Sequence, residues 1–202
     1  MIQNAKIGVV ILAAGSSSRL GYAKQLVEFN GKSLLQRVID VSGLLDFDSK
    51  VLVLGARKDK IESEIDLKEF EVVTNENWEA GMSTSIRKGV LRSQELEHEL
   101  DHILILLSDQ PFVSKERIEE LIQVQLDKNS QATFSEYSGD IGVPAIFSAE
   151  VFHDLKELKG DQGAKKLIHD EKLDYGIVKF EEGNFDVDTA EDVERLKKLE
   201  KE

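Results

Sequence analysis

The chain has 202 residues, a formal net charge of −13, and a composition that is 41% hydrophobic and 32% charged. So large an excess of carboxylates argues against broad binding to nucleic acid or to an anionic membrane, because both need lysine and arginine spread over a wide surface. A small anion can still be met by a locally basic pocket. There is no cysteine, which excludes disulfides, thiolate catalysis and cysteine-ligated metals. The four histidines, His98, His102, His153 and His169, lack the paired spacing of a zinc motif and read as structural. No apolar run approaches the roughly 18–20 residues that cross a bilayer, and MIQNAKIG lacks the basic region and hydrophobic run of a secretory signal. A cytoplasmic protein with no nucleic-acid or membrane partner is expected.

Taken in chain order, Ile7 to Ala13 is a short apolar, β-branched run that predicts a strand buried on both faces. SLLQRVIDVSGLL follows with helical spacing, Ser33 as its N-cap and Leu34, Leu35, Val38, Ile39 and Val41 recurring along it. KVLVLG is a second strand, Lys58 to Ile65 a helix, EVVT a strand, and a helix begins near Ser83. HILILL then forms a strongly apolar strand that ends at Ser108. Strands alternating with crossover helices predict a three-layer α/β fold with a mostly parallel sheet, in which Ile7–Ala13 and His102–Leu107 are central neighbours. SKERIEELIQVQLDKN is a helix with an N-cap serine and early acidic residues. ATFSEY, GVPAIF and LDYGIVKF read as strands and GDQGAKKLIHD as a short helix. Thr189 with Asp192 forms a capping box that opens a final helix through Val193, Leu196 and Leu199.

Three strand ends carry side chains suited to chemistry. Ligands of open α/β sheets collect beyond the carboxyl ends of the strands, and the loop after Ala13 lies at such an end. Ala13, Ala14 and Gly15 let backbone approach a ligand, Ser16 to Ser18 offer hydroxyls and amide N–H groups to phosphate oxygens, and Arg19 and Lys24 add positive charge. The spacing is neither a Walker P-loop nor GxGxxG. On composition alone the same residues also describe a glycine–serine turn with two solvated cations. In LLSDQP, a strand hands over to Asp109, a carboxylate placed to hold Mg²⁺ with substrate phosphates; FDVDTAED brings Asp186 and Asp188 to a strand-to-helix transition, where Thr189 already caps the helix and Asp188 is the better ligand. Each aspartate alone also suits an ordinary turn. NWEAGMSTSIRKG sets Gly81 ahead of a helix start bearing Ser83, Thr84 and Ser85, whose N–H groups suit a phosphate, a ribose hydroxyl or a base edge, or are simply capped by Ser83.

LAAGSSSRLGYAKQL resembles the LAAGxSxRMGxxK signature of nucleotidyltransferases with the nucleotide-diphospho-sugar transferase fold. Together with GMSTSI, SDQP, GVPAIF, GDQGAK and DVDTAED, in order from Leu12 to Asp192, it is similar to the branch that contains the molybdenum cofactor cytidylyltransferases. The resemblance implies a Rossmann-like α/β/α fold with a mostly parallel mixed sheet. It implies one domain over residues 1–202, with a nucleotide-binding half up to about residue 112 and an acceptor-binding half beyond it. It also implies that Leu12, Ala13, Ala14 and Gly15 line the nucleotide, with Arg19 and Lys24 on its phosphates and Gly81, Met82 and Ser85 at the base and ribose. Asp109 and Asp188 would hold Mg²⁺, with Arg19, Lys24 and Asp109 as the catalytic set. The acceptor would face Gly142, Pro144, Asp161 and Gly163. Leu20 replaces the usual methionine; Val143 stands where histidine is frequent and Lys165 where arginine is, both on the acceptor side.

The activity implied joins CTP to molybdopterin cofactor with release of pyrophosphate, and a molybdoenzyme apoprotein would receive the product. Two rivals remain on the sequence: a cytidylyl- or uridylyltransferase acting on a sugar or polyol phosphate, and a non-catalytic carrier that inserts molybdenum cofactor. The methyl of Ala14, where guanylyltransferases carry a second glycine, favours a pyrimidine.

Overall fold

The computed structural model describes residues 5–169 and 171–200. Seven strands form one mixed sheet: β1 (Ile7–Ala13), β4 (Ser49–Leu54), β5 (Glu71–Thr74), β6 (His102–Leu107), β7 (Ala132–Tyr137), β8 (Asp140–Ser148) and β9 (Tyr175–Lys179). Two short strands, β2 (Glu28–Phe29) and β3 (Lys32–Ser33), make a separate hairpin. The spatial order is β5-β4-β1-β6-β8-β7-β9. As the sequence predicts, β1 and β6 pair in parallel at the centre, from Ile7 beside His102 to Leu12 beside Leu107. Every residue of β1 is buried, which a strand covered on both faces requires.

The β1, β4, β5 and β6 strands are mutually parallel, so their carboxyl ends open on one side. The sheet then changes sense, because β8 pairs antiparallel with both β6 and β7. Ser138 (φ 51°) and Gly139 (φ 79°) connect β7 to β8, and two positive φ values match the twist of a two-residue hairpin. That reversal is the mixed part of the sheet; strand periodicity alone does not reveal it.

Helices α1 (Leu34–Ser42), α2 (Lys58–Glu64) and α4 (Lys115–Lys128) cover one face, where Leu35, Ile39, Ile61, Ile118 and Leu121 join Val9, Ile11 and Leu104. The opposite face takes α3 (Met82–Leu96) and α5 (Phe152–Glu157), with Ile86, Val90 and Phe152 against Val10, Val53 and Ile105. The last helix, α6 (Ala190–Leu199), is capped as predicted: the Thr189 hydroxyl accepts from Asp192 N–H, and the Asp192 carboxylate accepts from Thr189 N–H. Ser33 and Ser114 cap α1 and α4. The segment predicted as a helix from Gly160 is shorter, a 3₁₀ turn over Ala164–His169; Asp170, its predicted end, lies outside the described residues.

Gly89 sets how closely α3 approaches the sheet. A Cβ there would stand 2.4 Å from Val10 Cγ1 and 3.2 Å from Val53 Cγ2. Gly89→Ala should gain about 1 kcal/mol of helix propensity yet lose about 1–3 kcal/mol to overpacking. The expected outcome is a lower midpoint in denaturant unfolding, restored when Val10→Ala is added.

Candidate active site

The carboxyl ends of the parallel strands surround a cleft of about 360 Å³ lined by Leu12, Ala13, Ala14, Gly15, Ser16, Lys24, Gln25, Trp78, Glu79, Gly81, Met82, Ser85, Leu107, Ser108, Asp109 and Asp161. The loop after β1 is fastened from beneath. Gln25, almost wholly buried, donates from Nε2 to Ala13 O (2.8 Å) and Gly15 O (3.1 Å). Ser17 takes a left-handed conformation (φ 54°); its carbonyl accepts from the N–H groups of Leu20 and Gly21, and its hydroxyl accepts from Lys24 N–H at 3.1 Å. With the loop's carbonyls and the Lys24 backbone pinned in this way, the ammonium is delivered to a defined place.

That place lies between two carboxylates. Lys24 Nζ forms short ion pairs with Asp109 Oδ2 and, at 2.7 Å, with Asp188 Oδ1; the second oxygen of Asp188 accepts from Arg19 Nη2 at 2.6 Å. The Lys24 and Asp109 side chains are 17% and 10% exposed, whereas Arg19 is 68% exposed, so the inner pair is desolvated and the outer one is a mobile surface pair. Burial alone would lower the Lys24 ammonium, but Asp109 and Asp188 outweigh it and raise its pKa above the ordinary value. For Asp188 burial would act upward, and Lys24 and Arg19 hold the carboxyl below its ordinary value.

Asp186 behaves oppositely. The residue is exposed as a whole, yet desolvation of its carboxyl by the surrounding protein, with repulsion from Asp109 and Asp188 exceeding the pull of Lys24, pushes it up to about 6. Nearby Tyr137 is pushed up to about 12, first by burial and then by Asp186, Asp140 and Asp109.

A small third core assembles this arrangement. Leu20 from the loop, Phe29 from the β2–β3 hairpin, Leu34 from α1, and Val187, Val193 and Leu196 from the C-terminal segment pack together. Phe112, three residues after Asp109, meets Phe29 edge-on at 5.9 Å and Phe185 at 5.6 Å. Leu20 therefore serves as a packing residue that ties the loop to this core. Because Thr189 caps α6, Asp188 is left free to point at Lys24 and Arg19.

The second wall is built from Asn75 and two glycines. The buried Asn75 donates to Thr84 Oγ1 (2.8 Å) and Ser85 Oγ (2.9 Å), fixing the start of α3. A Cβ on Gly55 would stand 2.9 Å from both Ala14 Cβ and Trp78 Cβ, so Gly55 lets the two walls meet. A Cβ on Gly81 (φ 104°) would lie 2.3 Å from the Gly160 carbonyl group.

The structure thus gathers Leu12, Ala13, Ala14, Gly15, Lys24, Gly81, Met82, Ser85 and Asp109 around one cleft, with Arg19 and Asp188 joined to it through Lys24. The four residues expected on the acceptor side do not stay together. Asp161 lines the same cleft, and Gly163 lies beside Met82, 3.2 Å from the sulfur to a Cβ built there. Gly142 and Pro144 lie on β8 beyond Asp109, where Gln110 Nε2 donates to Val143 O (3.0 Å) and Ser135 Oγ to Pro144 O (2.7 Å). Lys165 forms a short ion pair with Asp140 at the start of that strand. Gln25, Gly55, Asn75, Trp78 and Gln110 were not singled out by sequence. Four of the five act through local backbone or buried amides, and no spacing announces such roles.

Residues 9–175 match the family described as the MobA-like NTP transferase domain. The chain belongs to the MobA-like NTP transferase domain family. Its domain is a nucleotidyltransferase domain with the matching α/β fold. Within this family setting, the structure of Rv0371c from Mycobacterium tuberculosis H37Rv is 31% identical, with a TM-score of 0.82 over 95% of this chain and 97% of that one. A second structure of Rv0371C is a complex with manganese, at 29% identity and a TM-score of 0.80. Nicotine blue oxidoreductase from Paenarthrobacter nicotinovorans is 28% identical over 196 residues, 93% of this chain and 94% of that protein. The match to bifunctional protein GlmU of Desulfitobacterium hafniense (strain Y51), 32% identical over 126 residues, takes in 61% of this MobA-like chain but 26% of GlmU.

A carboxyl raised in the folded state opposes folding once it ionises, fully above about pH 6 and progressively less as pH falls toward its ordinary value of 3.8. Asp186→Asn should therefore raise the melting temperature at pH 7.5, and the gain should shrink toward pH 5. Thermal unfolding at the two pH values checks this.

Proposed function

We propose that the protein is a magnesium-dependent nucleotidyltransferase that joins CTP to molybdopterin cofactor, releasing pyrophosphate and forming the cytosine dinucleotide cofactor in the cytoplasm. The observation that carries the reading is the partly buried Lys24 ammonium between Asp109 and Asp188 at the edge of a cleft floored by the loop after β1. Cation and carboxylates are what phosphoryl chemistry needs at one place: charge for the triphosphate, and oxygen ligands for a hard divalent ion. Residues up to about 112 serve as the nucleotide half and the remainder as the acceptor half, where Gly142, Pro144, Asp161 and Gly163 face the pterin. The motif resemblance supports the pterin, and the manganese complex of Rv0371C supports a divalent ion.

The cleft residues hold the triphosphate so that its α-phosphorus faces the acceptor. Gly15 and Ser16 present loop backbone to the phosphates, Arg19 and Lys24 neutralise them, and Gly81, Met82 and Ser85 hold base and ribose beside Trp78. The terminal phosphate oxygen of the pterin forms the new bond to the α-phosphorus, the bond from that phosphorus to the bridging oxygen breaks, and pyrophosphate leaves with the electron pair. The nucleophile is already an anion, so no strong general base is needed, and positioning with charge neutralisation supplies most of the acceleration. The two carboxylates that share one ammonium form an all-oxygen donor set that fits magnesium, which would neutralise phosphate charge there.

Pyrophosphate release tests this reading. CTP with molybdopterin cofactor should turn over, and GTP should give a lower kcat/KM because the buried Ala14 and the half-buried Trp78 narrow the cleft wall. Asp109→Asn should lose ~10³-fold in turnover with the fold retained. Release with a sugar or polyol phosphate in place of the pterin would reassign the acceptor. A redox reaction of nicotine blue without pyrophosphate release would align the chain with its oxidoreductase relative. Pterin binding without release would make it a carrier.

A further inference from the structure

We infer that Lys24 is a built-in counter-cation of the metal-binding carboxylates, and that an arriving triphosphate draws its ammonium from Asp109 and Asp188 onto the phosphates, so that divalent ion and nucleotide bind as a coupled pair. This rests on the reading of Asp109 and Asp188 as the metal carboxylates.

Three observations carry it. First, the ammonium is held by one oxygen from each of the two carboxylates, and Arg19 holds the other oxygen of Asp188. Lys24 and Arg19 offset the charge of these two carboxylates, so that only Asp186 beside them adds negative charge and a divalent ion must compete with the ammonium for the Asp109 and Asp188 oxygens. An ion taking oxygens from both aspartates would be pressed against a like charge in a partly desolvated site, where such repulsion is poorly screened.

Second, Lys24 itself lines the cleft that the triphosphate would enter. The phosphates are therefore anions it can reach without leaving the site. Third, the backbone beneath Lys24 stays fixed while the side chain changes partners. Its N–H is held by Ser17 Oγ, and the next residue, Gln25, is tied to Ala13 O and Gly15 O. A lysine suits this exchange better than an arginine, because a compact ammonium on a flexible four-carbon stem can turn between ligands without matching a planar fork.

The test measures Mn²⁺ binding by calorimetry and electron paramagnetic resonance. It uses the full chain and the Lys24→Ala and Lys24→Gln variants, the latter keeping length and hydrogen bonding, with thermal unfolding confirming that each is folded. Without nucleotide, both variants should bind Mn²⁺ at least ten-fold more tightly than the parent protein, and adding Asp109→Asn should remove the gain. Trp78, the chain's single tryptophan, lines the cleft and reports nucleotide binding by fluorescence. Mn²⁺ should tighten a non-hydrolysable CTP analogue at least ten-fold in the parent protein and markedly less in Lys24→Gln. Equal Mn²⁺ affinity in parent and variants, or unchanged coupling in Lys24→Gln, would overturn the inference and leave the metal carboxylates standing. Mn²⁺ binding untouched by Asp109→Asn would instead overturn the carboxylate assignment itself, and the inference with it.

Discussion

One desolvated ammonium, that of Lys24, stands between carboxylates 85 and 164 residues away in the chain. Everything else at the carboxyl end of the sheet follows from placing those three groups together. Removing Lys24 would leave the Asp109 carboxylate, whose side chain is 10% exposed, without its cation, which costs far more than an exposed ion pair is worth. The arrangement also concentrates both signs of charge at the edge of the cleft of an otherwise acidic protein.

Long-range order in sequence is converted to proximity by packing. The parallel order of β1, β4, β5 and β6 brings the loop after β1 and the residues after β6 to the same end of the sheet. The antiparallel β8 then carries the chain back past Asp109, and the Phe29, Phe112 and Phe185 rings with Leu20 and Val187 seat the C-terminal segment on the loop. The side chain of Asp188 reaches Lys24 because a separate threonine satisfies the helix end. Capping and ion pairing are divided between adjacent residues.

Much of this arrangement is written in the pattern of the sequence itself. Strands buried on both faces carry uninterrupted β-branched runs, so the central β1–β6 pair and its crossover helices could be read directly, and capping residues marked α1, α4 and α6. The loop cations and the two strand-end aspartates were visible because charged side chains next to apolar strands have few structural reasons to be there. The antiparallel turn at β8 was not readable, because an antiparallel strand buried on both faces has the same pattern as a parallel one. Gln25 and Asn75 escaped notice for a different reason: their role is to satisfy particular backbone and hydroxyl groups, which depends on three-dimensional neighbours. The place of Asp161 is likewise set by tertiary packing, because the close approach of Gly81 to Gly160 brings it to the wall of the same cleft.

Lys24 joins the N-terminal loop to the C-terminal segment through its ion pair with Asp188. A double-mutant cycle measures it most directly, with Lys24→Met and Asp188→Asn made singly and together and followed by denaturant unfolding in metal-free buffer. A coupling of about 1 kcal/mol or more between the two substitutions is the result expected for a partly buried pair. Additive effects, with coupling within about 0.3 kcal/mol of zero, would contradict it.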